Sequence, residues 1–288
     1  MLEVGCCSFN FRGLSLEDSL SLTSGMGFQK IGIGAFSEDS QVHPSDILSN
    51  PKGTGKRVRD ACKRYGLIPI EFFVCDIPLP DGAKAAPNEP NKVVRDNMFS
   101  SFRKICECAA EAGFSHIMTV PGRPDPESLS DSGMSISIES LSKMVSIAND
   151  FSVDLTIEPH AGSLVSTPET LRFLLDNVKE LRLTLDHSHF IGAGIRPEEW
   201  FSFHSDAVYI HAKPSKLGVP KCLFYDAEDY YEPIIKDLLD KAWEGVIAVE
   251  CMYPVKAPDL ESHPAFQTAL LAGQLDRKIR KLQHQNHL

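Results

Sequence analysis

Short apolar segments alternate with amphipathic stretches from one end of this 288-residue chain to the other. No feature constrains the fold more. A strand followed by a helix, repeated without a break, buries its apolar surface as a parallel sheet wrapped by helices. Strands are predicted at Val4–Phe9, Phe28–Gly34, Leu67–Val74, His116–Val120, Val153–Glu158, Leu181–Asp186, Ala207–His211 and Val246–Glu250. Between them lie helical stripes such as Val58, Ala61, Cys62 and Tyr65, spaced i, i+3, i+4, i+7. Thr167, Pro168 and Glu169 open another helix, with a threonine cap and a proline in the first turn. Pro197–Phe203 reads as a short helix, and Ala265–Leu282 as the closing one. Eight such units with no shift in composition predict an α/β fold, a (β/α)8 TIM barrel, as one domain over residues 1–288. The runner-up is an open doubly wound sheet. It needs a glycine-rich phosphate turn after the first strand, and GCCSFNFRG is not one.

Side-chain alternation within the last four strands points to a site. In the fifth strand Val153, Leu155 and Ile157 alternate with Thr156 and Glu158. The sixth sets Leu181, Leu183 and Leu185 against Thr184 and Asp186, the seventh Val208 and Ile210 against Tyr209 and His211, the eighth Ile247 and Val249 against Ala248 and Glu250. Successive strand residues face opposite sides. If the apolar sets face the helices, Glu158, Asp186, His211 and Glu250 all point into the barrel at its C-terminal mouth, where barrel enzymes place their chemistry. Three clustered carboxylates repel one another unless a cation neutralises them. One divalent metal ion is therefore expected. The oxygen-rich donor set suits Mn, Mg or Co, with Mn favoured, and is compatible with a catalytic Zn.

Composition narrows the partners. The formal net charge of −10 argues against nucleic acid, whose phosphates need clustered Lys and Arg. No apolar run approaches the roughly 20 residues of a membrane span. The eight cysteines include no Cys-x-x-Cys pair and read as small buried hydrophobes of a reducing, cytoplasmic compartment. The expected partner is a small molecule, with homo-oligomerisation left open.

The motifs IEPHAG at Glu158, LDHSH at Asp186 and His189, VYIHAK at His211 and Lys213, and VIAVE at Glu250, in that order and spacing, resemble the xylose-isomerase-like TIM barrels. This superfamily of sugar isomerases and epimerases also contains endonuclease IV. In its ketose epimerase members the residues matching Glu158, Asp186, His211 and Glu250 bind one divalent ion. The two glutamates also act as the acid/base pair, and the residue matching His189 contacts substrate. The resemblance thus implies a metal-dependent sugar or polyol isomerase or epimerase working by proton transfer through an enediolate. A lyase is the alternative: a dehydratase of a keto-polyol such as a keto-inositol or dehydroshikimate. A non-catalytic binding barrel and an endonuclease IV-like nuclease rank below these. Pro214 stands where many relatives carry an aspartate, and LFYDAED lacks the Asp-x-His used for extra zincs, so a three-metal nuclease centre is not expected.

Three further residues are candidates for substrate binding: His189 and Lys213 at the same mouth, and Arg123 in VPGR after the fourth strand. His160 and His187 read as structural, and Glu71 in IPIEFF fits either role. Pro78–Lys92 carries four prolines beyond the third strand and reads as a surface loop or a lid.

Overall fold

The computed structural model describes residues 1–37, 39–124, 131–160, 162–251 and 259–285. Its strands are β1 (Leu2–Cys7), β2 (Lys30–Gly34), β3 (Ile68–Cys75), β4 (Ile77–Pro78), β5 (Lys84–Ala85), β6 (His116–Thr119), β7 (Asp154–Ile157), β8 (Arg182–Asp186), β9 (Ala207–Ala212) and β10 (Gly245–Val249). Eight of them close into a parallel barrel in the order β1-β10-β9-β8-β7-β6-β3-β2. Around it run α1 (Leu16–Gly25), α2 (Pro44–Ser49), α3 (Pro51–Arg64), α4 (Lys92–Ala112), α5 (Asp131–Asn149), α6 (Pro168–Asn177), α7 (His187–Gly192), α8 (Tyr231–Asp240) and α9 (Pro264–Gln285). None of these helices is long and apolar enough to cross a membrane.

The two faces of the strands divide as the alternation predicts. Leu155, Ile157, Leu183, Leu185, Ile247 and Val249 lie in one buried apolar layer with helix residues such as Phe102, Leu171 and Ile234. Each such side chain contributes about 1.5–3 kcal/mol on burial, and this layer holds the barrel closed. The inner face differs. Glu71, His116, Thr156, Thr184, Tyr209 and His211 are all buried there, so the floor of the barrel is largely polar.

Boundaries depart from the predicted ones for local reasons. β1 ends at Cys7, and Ser8–Phe11 turns as a 3-10 helix. The Asn10 amide replaces the ladder there: its Nδ2 donates to the Val249 carbonyl at 2.9 Å, and its Oδ1 accepts from the Cys251 amide at 2.6 Å. The predicted loop at Pro78–Lys92 is partly ordered, because β4 and β5 pair antiparallel as a small hairpin beside the mouth. α2 escaped the sequence reading because it is 6 residues long and buries only Ile47. α4 begins at an Asn91 side-chain cap and ends at a left-handed Gly113 (φ 87°). All eight cysteines are free, six of them buried.

Candidate active site

The C-terminal edge of the barrel brings the four same-phase residues together. In the β8–β9 register Asp186 lies opposite His211. Glu158 and Glu250 stand one residue beyond β7 and β10, yet each continues the ladder. The Glu158 amide donates to the Thr119 carbonyl at 3.1 Å and the Glu250 amide to that of Ala212 at 2.9 Å. One ligand atom from each of Glu158, Asp186, His211 and Glu250 falls within 4.8 Å of all the others. All four residues are buried.

His211 sits at the centre. Its Nδ1 lies 2.8 Å from Glu158 Oε1 and 2.9 Å from Glu250 Oε2, and its Nε2 lies 2.7 Å from Glu71 Oε2. Burial alone would depress the imidazole pKa, but Glu71 and Glu250 outweigh it and push the value well above the usual histidine range. Burial likewise opposes ionisation of Glu71 and Asp186. His211 beside the first, and Lys213 and His189 beside the second, overcome that cost and hold both carboxyls below their usual range.

Lys213 continues the inward phase past His211. Its ammonium lies 2.7 Å from Asp186 Oδ2 and 3.2 Å from Glu250 Oε2. His189 occupies the first turn of α7, where Nε2 is 3.4 Å from both Lys213 Nζ and Asp186 Oδ2. Burial and the adjacent Lys213 lower the His189 pKa. An ammonium only donates hydrogen bonds, so the ring nitrogen facing Lys213 is the acceptor. Arg123 lies elsewhere. Its Nε and Nη2 donate to Asp76 Oδ2 at 3.0 and 2.7 Å, and its Nη2 also donates to the Lys84 carbonyl at 3.1 Å. It braces the β4–β5 hairpin, and no described contact joins it to the cluster.

The donor set fits a divalent cation. Both carboxylate oxygens of Glu250 and Oδ2 of Asp186 are buried with no hydrogen bond of ordinary geometry, although cationic nitrogens lie close to them. Three carboxylates and one imidazole converging within 4.8 Å leave a position that a metal ion satisfies better than a single proton.

Sequence reasoning left two parts of the site unassigned. Glu71 is fully buried, accepting from Thr184 Oγ1 at 2.6 Å as well as from His211. Its signal was present, a charged residue in an otherwise apolar strand, but nothing local names its partner. The second is an aromatic wall. The rings of Phe9 and Phe36 lie 4.3 Å apart, those of Phe36 and Phe73 4.7 Å, and Phe73 stands 6.1 Å from His211. Three phenylalanines far apart in sequence carry no pattern that would reveal this. His187 Nε2 lies 2.9 Å from Nε2 of His204, whose Nδ1 donates to Asp237 at 2.6 Å. His160 lies beside His189, with ring centroids 5.1 Å apart and the planes tilted by 37°. Cys7 also neighbours His211, and burial pushes its thiol up to about 12, so it offers no ready thiolate.

Comparison with known proteins places this architecture. Solved structures of similar fold include a D-tagatose 3-epimerase-like protein, 19% identical with a TM-score of 0.74 over 98% of this chain and 99% of that one. An L-ribulose 3-epimerase is 16% identical with a TM-score of 0.74, over 98% and 97% of the two chains. The probable 3-DHS dehydratase AsbF of Bacillus anthracis is 15% identical with a TM-score of 0.70, over 93% and 98%. No curated protein matches the chain. The family model described as xylose isomerase-like TIM barrel matches residues 22–270, and the chain belongs to that family.

Proposed function

We propose that this chain is a divalent-metal-dependent isomerase or epimerase of a small sugar or polyol, with Glu158 and Glu250 as its acid/base pair. The observation that carries the proposal is the convergence of those two carboxylates on His211 Nδ1, at 2.8 and 2.9 Å, from strands separated by two others in the barrel wall. Glu158, Asp186, His211 and Glu250 would hold one ion, Mn2+ being favoured by the oxygen-rich donors. When bound, the ion supplies positive charge beside a carbonyl and its neighbouring hydroxyl, and so acidifies the carbon-bound proton between them. One glutamate removes that proton and the other returns one to the enediolate. Lys213 and His189 lie on the Asp186 side, where they orient the substrate's oxygens by hydrogen bonds. The epimerases among the structures of similar fold support this reading.

A dehydratase is the second reading, favoured by the likeness in fold to the probable 3-DHS dehydratase. There the Lys213 ammonium would protonate a departing β-hydroxyl. A substrate screen of ketoses and keto-polyols separates the two, since an enone product absorbs in the ultraviolet and an epimer does not. The metal centre has its own check. Purified protein should hold about one divalent ion per chain, and Asp186→Ala should lose it. Unchanged metal content in that variant refutes the four-residue centre.

A further inference from the structure

Beneath the four converging side chains lies a second buried group, Cys7, Glu71 and His211, whose donor atoms also fall within 4.8 Å of one another. Two roles are open to it: a second metal site, or a support for the first. The geometry decides between them. An ionised carboxylate only accepts hydrogen bonds. Glu71 Oε2 lies 2.7 Å from His211 Nε2, so that nitrogen is engaged by Glu71 while Nδ1 is the one that faces Glu158 and Glu250. Glu71 Oε1 is already taken at 2.6 Å by Thr184 Oγ1, which in turn lies 3.0 Å from Thr156 Oγ1, and His116 Nε2 approaches it at 3.3 Å. Three donors from β6, β8 and β9 therefore fix a carboxylate that is wholly buried. Gly32 lies opposite it in the β2–β3 register. A methyl group there would come within 3.5 Å of Glu71 Oε2 and 3.2 Å of the Tyr209 hydroxyl, so the glycine leaves this space clear.

We propose that Glu71 is the positioning residue of the metal centre: by holding the Nε2–H of His211 it aims Nδ1 of that ring at the point where Glu158, Asp186 and Glu250 converge. The inference rests on the metal-dependent reading above. Glu71 touches neither substrate nor metal. It holds the ring in one orientation and one tautomer, and its charge makes Nδ1 a better donor. The placement also explains why a full negative charge is kept in the barrel floor, where an unpaired one would be strongly destabilising.

Co2+ added to the metal-free full-length chain tests this, with affinity read by calorimetry and the His211 ring N–H read as an exchangeable, paramagnetically shifted proton resonance. Wild type should bind about one Co2+ and show that resonance. Glu71→Ala should weaken Co2+ by about 10–100-fold and lose the resonance to solvent exchange. Glu71→Gln keeps an acceptor without the charge, so it should retain a shifted resonance at intermediate affinity. A folded Glu71→Ala protein with wild-type affinity and an unchanged resonance overturns the proposal. Should the alanine variant fail to fold, Glu71→Gln decides alone, and wild-type behaviour in both readouts overturns it. Failure of the wild type to take up Co2+ overturns the metal reading and this inference together, whereas tight binding indifferent to Glu71 overturns only the inference.

Discussion

The two halves of the barrel wall are built for different work. The four ionisable residues that converge at the mouth lie within one residue of the C-terminal ends of β7, β8, β9 and β10. On the facing side β1, β2 and β3 bring together Phe9, Phe36 and Phe73, the first two just beyond the ends of β1 and β2, with Glu71 two residues before Phe73 and reaching across to His211. A sugar with one apolar C–H face and one face of hydroxyls would meet a matching surface on each side. On the proposed reading, reactivity and fit fall to separate strands, because a barrel brings distant parts of the chain to one rim.

The strongest way to break that division is at the charged half. Glu158→Gln and Glu250→Gln each keep shape and an oxygen ligand but remove the proton acceptor, and each should lower kcat by at least ~10² with folding intact. Steady-state kinetics on the substrate found by screening gives the answer. Either variant with near-full activity removes that residue from the chemistry. Solvent deuterium exchange sharpens the result, since a two-base enzyme should keep exchange on one face only in each variant.

A smaller effect belongs to the aromatic half. Phe36→Ala removes the middle ring of the wall, which is only partly buried. KM should rise by about tenfold, equivalent to about 1.4 kcal/mol, while kcat stays nearly constant. A loss of kcat comparable to that of the glutamine variants would abolish the distinction between the halves.

The least effect concerns the support behind β8. Burial depresses the pKa of His204 despite its bond to Asp237, so the folded value lies below the unfolded one of about 6.5. The native state then binds fewer protons in acid. The stability contributed by the neutral ring is complete above about pH 6.5 and is lost as pH falls below it. His211 has a raised pKa and contributes the opposite dependence only above about pH 6.5, so it leaves this window undisturbed. In metal-free protein, His204→Gln should shrink the difference in Tm between pH 6.5 and pH 5 by about 2 °C. An unchanged difference would mean that the ring is protonated in the fold.

Which of these residues were legible from sequence follows from the distance over which each signal acts. Strand alternation is local. Thr156, Thr184, Tyr209 and Ala248 mark the inward phase by contrast with their apolar neighbours, so the placement of Glu158, Asp186, His211 and Glu250 at one mouth could be read directly. The same phase carried Lys213 inward. His189 was placed correctly at the mouth, although its helix α7 was not foreseen. Arg123 shows where this reading weakens: the expectation of an anion-binding side chain came from its position after a strand, and the ion pair with Asp76 depends on a hairpin no periodicity reveals.

By itself, then, the sequence determined the barrel, its order of strands and the identity of four converging side chains, because hydrophobic alternation decides which face each residue takes. Tertiary structure alone decided the partners. Glu71 and His211 are 140 residues apart, and only closure of the barrel sets a carboxylate on β3 against an imidazole on β9. The aromatic wall likewise exists only once three strand ends meet. Pairing across a barrel depends on register and curvature, and these arise from the packing of the whole ring of strands rather than from any one segment.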